Sequence, residues 1–300
     1  MQGMPELPDI TVYVDALRKR ILNSQINQLK VSSPFLLRTA VPDISEALGE
    51  HVVSVDRLGK RLALTLPNDR YLVIHLMIAG RLHWFEHGKK LPGKSAILQL
   101  GFEHGTLTLT EAGTKKRASL HFIDGKQALA EINPNGLEVL ECSLAEFTKV
   151  LRAHNHTLKR ALTSPRLLSG IGNAYSDEIL HAAQLSPVAL TQKLKDENIA
   201  ILFEKTRTIL SEWTEKLRLK SGDSFPEKVT AFREGMAVHG RFGKPCPVCE
   251  TLVQRIRYVG RETNYCPRCQ TNGKLLADRS LSRLLKADWP KTIEELEHKG

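Results

Sequence analysis

The sequence predicts an α+β multidomain chain: a leading helix, an N-terminal β-sandwich or barrel, a helical domain, and a C-terminal hairpin built on a four-cysteine metal site. Three observations predict it. Apolar residues recur at helical spacing close behind the start, short alternating runs fill the stretch from about Asn27 to Asp124, and two C-x2-C pairs stand near the end.

The elements follow in chain order. Ile10, Val14, Leu17 and Ile21 form the apolar stripe of the first helix, with Asp9 as its expected N-cap and Asp15, Arg18 and Lys19 off the stripe. RLALTL at Arg61 to Leu66, YLVIHLM at Tyr71 to Met77 and TLTLT at Thr106 to Thr110 alternate as strands do. Leu62, Leu64 and Leu66 share one face, and Arg61, Ala63 and Thr65 the other. INPNGLEVL, broken by Pro134 and Gly136, is a connector. Helical segments then follow: AEFTKVLRAH, NAYSDEILHAA and a long one around IAILFEKTRTILSEWTEKLRL. The expected domains are residues 4–132, a linker over 133–145, a helical domain over 146–237, a zinc finger over 238–270 and an extension over 271–300. In that extension Thr292 and Glu295 make a capping-box pattern.

Composition narrows the function. An apolar fraction of 41% and a charged fraction of 25% suit a chain that buries a core, which argues against disorder. The 43 Lys and Arg against 33 Asp and Glu give a formal charge of +10, which favours a polyanionic partner. No apolar run reaches the roughly 20 residues that span a bilayer, and the polar start lacks the order of a signal peptide. The expectation is a cytoplasmic, reducing compartment and no membrane partner. There, cysteines in close pairs point to metal rather than to disulfides.

The most specific spacing is PCPVCE followed by NYCPRCQ. Cys246, Cys249, Cys266 and Cys269 offer four soft ligands, which suit one structural zinc ion and leave no open coordination position. A disulfide pair or an iron–sulfur site is the competing reading. The loop between the pairs carries Arg255, Arg257 and Arg261, which suit phosphate or a groove, with a solvated basic face as the alternative. In SGIGNAYSDEIL, Gly170 and Gly172 allow a tight turn into a helix beginning at Asn173. Such a lead-in presents backbone N–H groups to phosphate, although many helix connections use glycine. At the start stands MPELPD. A terminal Pro5 would carry a secondary amine with a pKa of roughly 8, able to attack a sugar C1′ and yield a cationic iminium. Glu6 beside it would serve as general acid and base. A proline-rich lead-in to the first helix is the plainer reading of the same residues.

Taken together, MPELPD, LGKRL around Lys60, HTLKRAL ahead of SGIGNAYSDEIL, and VHGRFGKPCPVC with GRETNYCPRCQ resemble the formamidopyrimidine-DNA glycosylase and endonuclease VIII family of base-excision repair enzymes. The resemblance covers most of residues 4–270 in family order. It implies a β-sandwich, a helix-two-turn-helix domain and a zinc finger, acting as a monomer on double-stranded DNA that carries a damaged base or an abasic site. It also implies Pro5 as Schiff-base nucleophile and Glu6 as acid and base. Lys60, Lys159, Asn173 and Arg261 then grip phosphates around the lesion, Lys60 and Arg261 within the catalytic set. The implied reaction removes a flipped-out, oxidised base and continues by β- and δ-elimination.

Three features depart from the family pattern. Met1-Gln2-Gly3 precede the expected start at Met4 and, if retained, keep Pro5 in a peptide bond. Ile78 stands where a methionine often fills the space left by the flipped nucleotide, and Thr114, Lys115, Lys116 and Arg117 stand where an aromatic wedge is sought. The chain also continues past its second cysteine pair. The competing readings are a catalytically silent DNA-structure binder and a zinc-ribbon RNA-binding protein. Cys142, apart from the pairs, is expected to pack as a small apolar residue.

Overall fold

The computed structural model describes residues 3–112, 115–227, 229, 233–258, 261–278, 282–284 and 290–297. The chain divides into two compact units. One takes the chain up to Asn135 together with a return segment that begins at Glu212; the other takes Gly136–Ser211 and the C-terminal part.

In the first unit, helix α1 (Leu7–Ile21) is capped by Glu6, not by Asp9. The cap moves because Pro8, whose fixed φ suits a first helical turn, lies inside the helix and Asp9 serves as the third residue of a capping box. Among the described residues eight strands follow: β1 (Gln28–Val31), β2 (Ser54–Leu58), β3 (Arg61–Leu66), β4 (Arg70–His75), β5 (Gly80–Glu86), β6 (Ala96–Phe102), β7 (Gly105–Glu111) and β8 (Ser119–Asp124). They form two antiparallel sheets, ordered β1-β6-β7-β5 and β2-β3-β4-β8. Leu62, Leu64, Leu66, Leu72 and Ile74 of one sheet meet Leu82, Leu98, Leu100, Leu107 and Leu109 of the other, and α1 adds Ile10, Val14, Leu17 and Ile21 to this core.

The opposite face of the second sheet is covered as well. Ala63, Tyr71, Val73 and Ile123 form a separate buried cluster against Ala128, Leu129 and Ile132 of α2 (Lys126–Ile132), a helix that the sequence reading lacks. The return segment closes the unit: Arg218 bonds Asp15 at 2.8 Å and Phe225 packs on Tyr13 with ring centroids 5.6 Å apart.

The second unit begins with α3 (Leu144–Arg152), where Ser143 and Glu146 form a capping box, and α4 (Leu158–Thr163), capped by Thr157. Next come α5 (Asn173–Ala182) and α6 (Asp196–Ser221), whose last turns belong to the first unit. The antiparallel hairpin of β9 (Gln254–Tyr258) and β10 (Arg261–Tyr265) and the short α7 (Pro267–Thr271) complete the cysteine module. A last helical turn, Ile293–Glu297, starts after Thr292, whose Oγ1 accepts from the Glu295 amide at 3.4 Å, while Glu295 reaches back to the Lys291 amide at 2.7 Å. Among the described residues, no helix is long and apolar enough to cross a membrane.

Candidate functional site

In the first unit Pro5 and Glu6 are buried at the head of α1. Glu6 is 2% exposed: its N–H donates to Asp9 Oδ2 at 2.8 Å, and its carboxylate accepts from the Asp9 amide. The positive end of the α1 dipole therefore faces the carboxylate that follows Pro5.

Lys60 occupies the two-residue turn between β2 and β3, next to Gly59 at φ +63°. A positive φ at the first turn position and not at the second suits a hairpin that follows the strand twist. Strand register sets the neighbours of Lys60. Arg61 pairs with His75, His75 with Ser119, and His121 lies two residues further along β8, so Arg61, His75 and His121 share one face. Arg61 Nε, His75 Nε2 and His121 Nδ1 are buried without a hydrogen-bond partner, although Arg61 Nη1 donates to Ile132 O at 2.8 Å. Burial, and then the charges of Arg61, Lys60 and His121, push His75 down to about 4. Burial, Arg61 and Arg38 lower His121 as well. Arg61, Lys60 and Arg38, which act on these histidines, are cations, so the patch is complementary to an anion.

Next in the chain, the β4–β5 connection presents Ile78, which is 44% exposed. Its backbone is held by Arg81, whose Nη1 donates to Ile78 O at 3.0 Å and Gly80 O at 2.6 Å. Met77 before it sits at φ +53°, a conformation that L side chains disfavour. Glu111 closes the neighbouring loop by accepting from the Arg117 and Ala118 amides at 2.7 and 3.0 Å, and Lys116 donates to Glu111 O. Thr114 lies outside the described residues.

In the second unit, Gly170 adopts φ +77°, and Gly172 leads into α5 at Asn173. Lys159 Nζ donates to Asn173 O at 2.7 Å and to Asp177 Oδ1 at 2.5 Å, and Asn173 Nδ2 donates to Glu262 O on β10 at 2.8 Å. Lys159, Asn173 and the strand that starts at Arg261 are thus brought together. The frame behind them went unnoticed in the sequence. Asp177, fully buried, also accepts from His239 Nδ1 at 2.8 Å and from the Asn264 amide at 3.2 Å. Glu178 accepts from the amides of Ala237, Val238 and His239 at 2.6, 3.0 and 2.9 Å; burial raises its pKa and those three bonds oppose the rise. The available signal was an acidic pair inside a predicted helix, which needs a buried partner or a solvent face.

The four cysteine sulfurs lie within 4.8 Å of one another. Cys249–Cys266, Cys249–Cys269 and Cys246–Cys269 are 3.3, 3.4 and 3.9 Å apart. A tetrahedral zinc with bonds of about 2.3 Å separates its sulfurs by about 3.8 Å, so the set fits. Burial, and then the Cys249 and Cys246 sulfurs, push the Cys266 thiol up to about 11, against a lowering by Cys269. The four residues hold one structural zinc ion. His181 Nε2 lies 3.3 Å from Cys246 Sγ, and burial lowers the pKa of the imidazole. A metal-bound thiolate only accepts, so the ring donates. Cys142 packs as a buried residue.

With this geometry in hand, three family profiles match in order: the formamidopyrimidine-DNA glycosylase N-terminal domain over residues 4–129, the H2TH domain of the same enzymes over 136–221, and a zinc finger found in FPG and IleRS over 243–272. The formamidopyrimidine-DNA glycosylase of Heliobacterium modesticaldum is 31% identical over 281 residues, which cover 89% of this chain and 100% of that one. The chain belongs to the formamidopyrimidine-DNA glycosylase family. DNA glycosylase action in damaged-base repair is the enzyme class that goes with it. The Lactococcus lactis Fpg crystallised with DNA containing an oxidised pyrimidine superposes with a TM-score of 0.78 at 27% identity, covering 89% of this chain and 100% of that chain. The Thermus thermophilus enzyme gives 0.74 at 29% identity over 89% and 98%. A shorter formamidopyrimidine-DNA glycosylase-like protein of Mycobacterium tuberculosis is 39% identical over 151 residues, 50% of this chain and 94% of its own. The zinc finger and helix-two-turn-helix expected from the sequence both belong to this family.

Proposed function

We propose that this glycosylase excises an oxidised base from double-stranded DNA and then cleaves the abasic site as a lyase, with Pro5 as nucleophile and Glu6 as acid and base. The observation that carries the reading is the buried carboxylate of Glu6 at the α1 N-cap, joined directly to Pro5. The Pro5 amine attacks C1′, the bond from C1′ to the base breaks, and the base leaves with a proton. Ring opening gives O4′ a proton from Glu6 and leaves an iminium between Pro5 and C1′. That cation is the electron sink for loss of a C2′ proton and the 3′ phosphate, then of the 5′ phosphate. Water hydrolyses the iminium and frees the amine.

Lys60 and His75 take backbone phosphates in the first unit, and Lys159, Asn173 and Arg261 do so in the second. Binding by phosphates weakens steeply with salt. The Lactococcus lactis relatives, solved with abasic and oxidised-pyrimidine DNA, support the substrate class. The enzyme works as a monomer in the cytoplasm, on the nucleoid. Pro5 needs a free nitrogen, so Met1–Met4 must be absent from the active form. A chain that retains them fits the second reading, a silent binder of damaged DNA.

Borohydride trapping on an abasic-site duplex decides, using one form started at Met4 and trimmed to Pro5 and one with Met1-Gln2-Gly3 retained, each checked by intact mass. A covalent adduct with the trimmed form alone is expected. No adduct from folded, zinc-loaded, Pro5-terminal protein overturns the lyase mechanism.

A further inference from the structure

The family profile of the zinc finger ends at residue 272, yet the chain continues and folds back on the finger. Asn272 and Gly273 adopt φ +50° and +81° and reverse the chain after α7. Lys274 then bridges Thr292, Leu275 N donates to Lys291 O at 2.8 Å, and Ile293 N donates to Gly273 O at 3.0 Å. Ile293 is 4% exposed, so the two tail segments form one packed piece rather than a loose end.

This piece is tied to both strands of the arginine hairpin. Leu276 N donates to the phenolic oxygen of Tyr265, at the end of β10, at 2.7 Å. Asp278 Oδ2 accepts from the Arg257 amide of β9, also at 2.7 Å. A two-stranded hairpin leaves N–H groups unpaired along its edges, and Asp278 occupies one of them. Asp278 is 2% exposed, so it lies in the interior and not on the surface. On the other strand the hairpin is held by Asn173, whose side chain donates to Glu262 O. β9 and β10 are therefore fixed from two sides, one belonging to the family domains and one to the extension.

We propose that the C-terminal extension is a brace that sets the β9–β10 hairpin for phosphate binding, with Asp278 as its positioning residue. The effect on DNA rests on the function proposed above; the effect on the hairpin does not.

The test uses full-length, zinc-loaded Asp278→Ala, Asp278→Asn and Tyr265→Phe proteins. Loss of a charge-assisted bond speeds exchange of the Arg257 amide by roughly tenfold or more in Asp278→Ala, with zinc content unchanged. Asp278→Asn, which keeps an acceptor oxygen, recovers part of the protection, and Tyr265→Phe loosens the Leu276 amide instead. Affinity for an abasic-site duplex falls several-fold in Asp278→Ala and recovers in Asp278→Asn. Unchanged Arg257 exchange in Asp278→Ala overturns the brace. Faster exchange with parental DNA affinity overturns its role in binding. Failure of the parent itself to bind DNA strikes the glycosylase reading, while the exchange measurement still decides the brace.

Discussion

The candidate sites of the two units treat their charges in opposite ways. In the first, Arg61, His75 and His121 stand on one face with buried nitrogens unpartnered, and Met77 holds a disfavoured backbone conformation beside them. In the second, Lys159 is answered by Asp177, Asp177 also by His239 and Asn264, and Glu178 by three amides. A compensated network makes a frame whose geometry is fixed before any ligand arrives. The three unpartnered nitrogens of the first unit leave room for an acceptor that the described residues do not supply.

The largest effect should come from breaking the compensated side. Asp177→Ala leaves the Lys159 ammonium, whose side chain is 14% exposed, without its counter-charge, and removes the acceptor for His239 and the Asn264 amide. Removing one partner of a buried pair costs about 3–5 kcal/mol. Urea unfolding of the zinc-loaded protein measures it, and a loss below about 1 kcal/mol would mean that the network is not the frame described.

The uncompensated side should show itself through pH. His75 titrates near 4 in the folded protein, below its ordinary value of 6.5, because burial disfavours its charged form. The unfolded chain therefore takes up this proton first. Stability is full above about pH 6.5 and falls by roughly 3 kcal/mol as the pH drops to about 4. Comparing the pH profiles of parental and His75→Gln protein isolates the contribution: the substitution should flatten the slope between those limits. A duplex phosphate at the site would raise the His75 pKa, so DNA binding should take up a proton near pH 5.5.

These contrasts mark how far the sequence could be read. The cysteine cluster was legible because each C-x2-C pair is local, whereas the roles of Pro5 and Glu6 rest on their adjacency and on the family resemblance. Lys159 came only through the family resemblance, whereas Asn173 was also marked as the start of a glycine-led helix. The partners of Asp177 lie far along the chain, 62 positions away at His239 and 87 at Asn264, and no periodicity connects them. The patch depends on the register of β3, β4 and β8, and β8 lies too far along the chain from β4 for a short turn to set their pairing. Helix α2 is short and has no buried residue of its own, so its sequence carries little amphipathic signal. In sequence Asp9 resembles a cap because an aspartate just before an apolar stripe and one in the first helical turn look alike, whereas the structure places it at the third position of the capping box.

A smaller effect joins the metal to the frame. Asn173, Asp177 and His181 recur every fourth residue along α5, and they meet Glu262, Asn264 and Cys246 in turn. His181→Phe keeps the ring but removes the N–H donated to the Cys246 sulfur. Loss of such an outer partner weakens metal retention by about tenfold. Competition with a chromophoric chelator reads the zinc affinity directly. Retention equal to the parent would show that packing alone seats the finger on α5.

The smallest effect tests the strain beside the cationic patch. Met77 holds φ +53°, which costs an L residue about 1–2 kcal/mol, and glycine there avoids the clash. Glycine also gives the unfolded chain more freedom, which takes back about 0.5–1 kcal/mol. Met77→Gly should therefore be more stable by about 0.5 kcal/mol, measured as a higher urea midpoint at unchanged slope. The same change loosens the backbone that carries the exposed Ile78, so on the proposed function affinity for an abasic-site duplex should fall as stability rises. Opposite signs in the two measurements are the mark of strain kept for binding. A variant that loses both would show instead that the Met77 side chain packs the loop, and that the first unit holds no strain at this position.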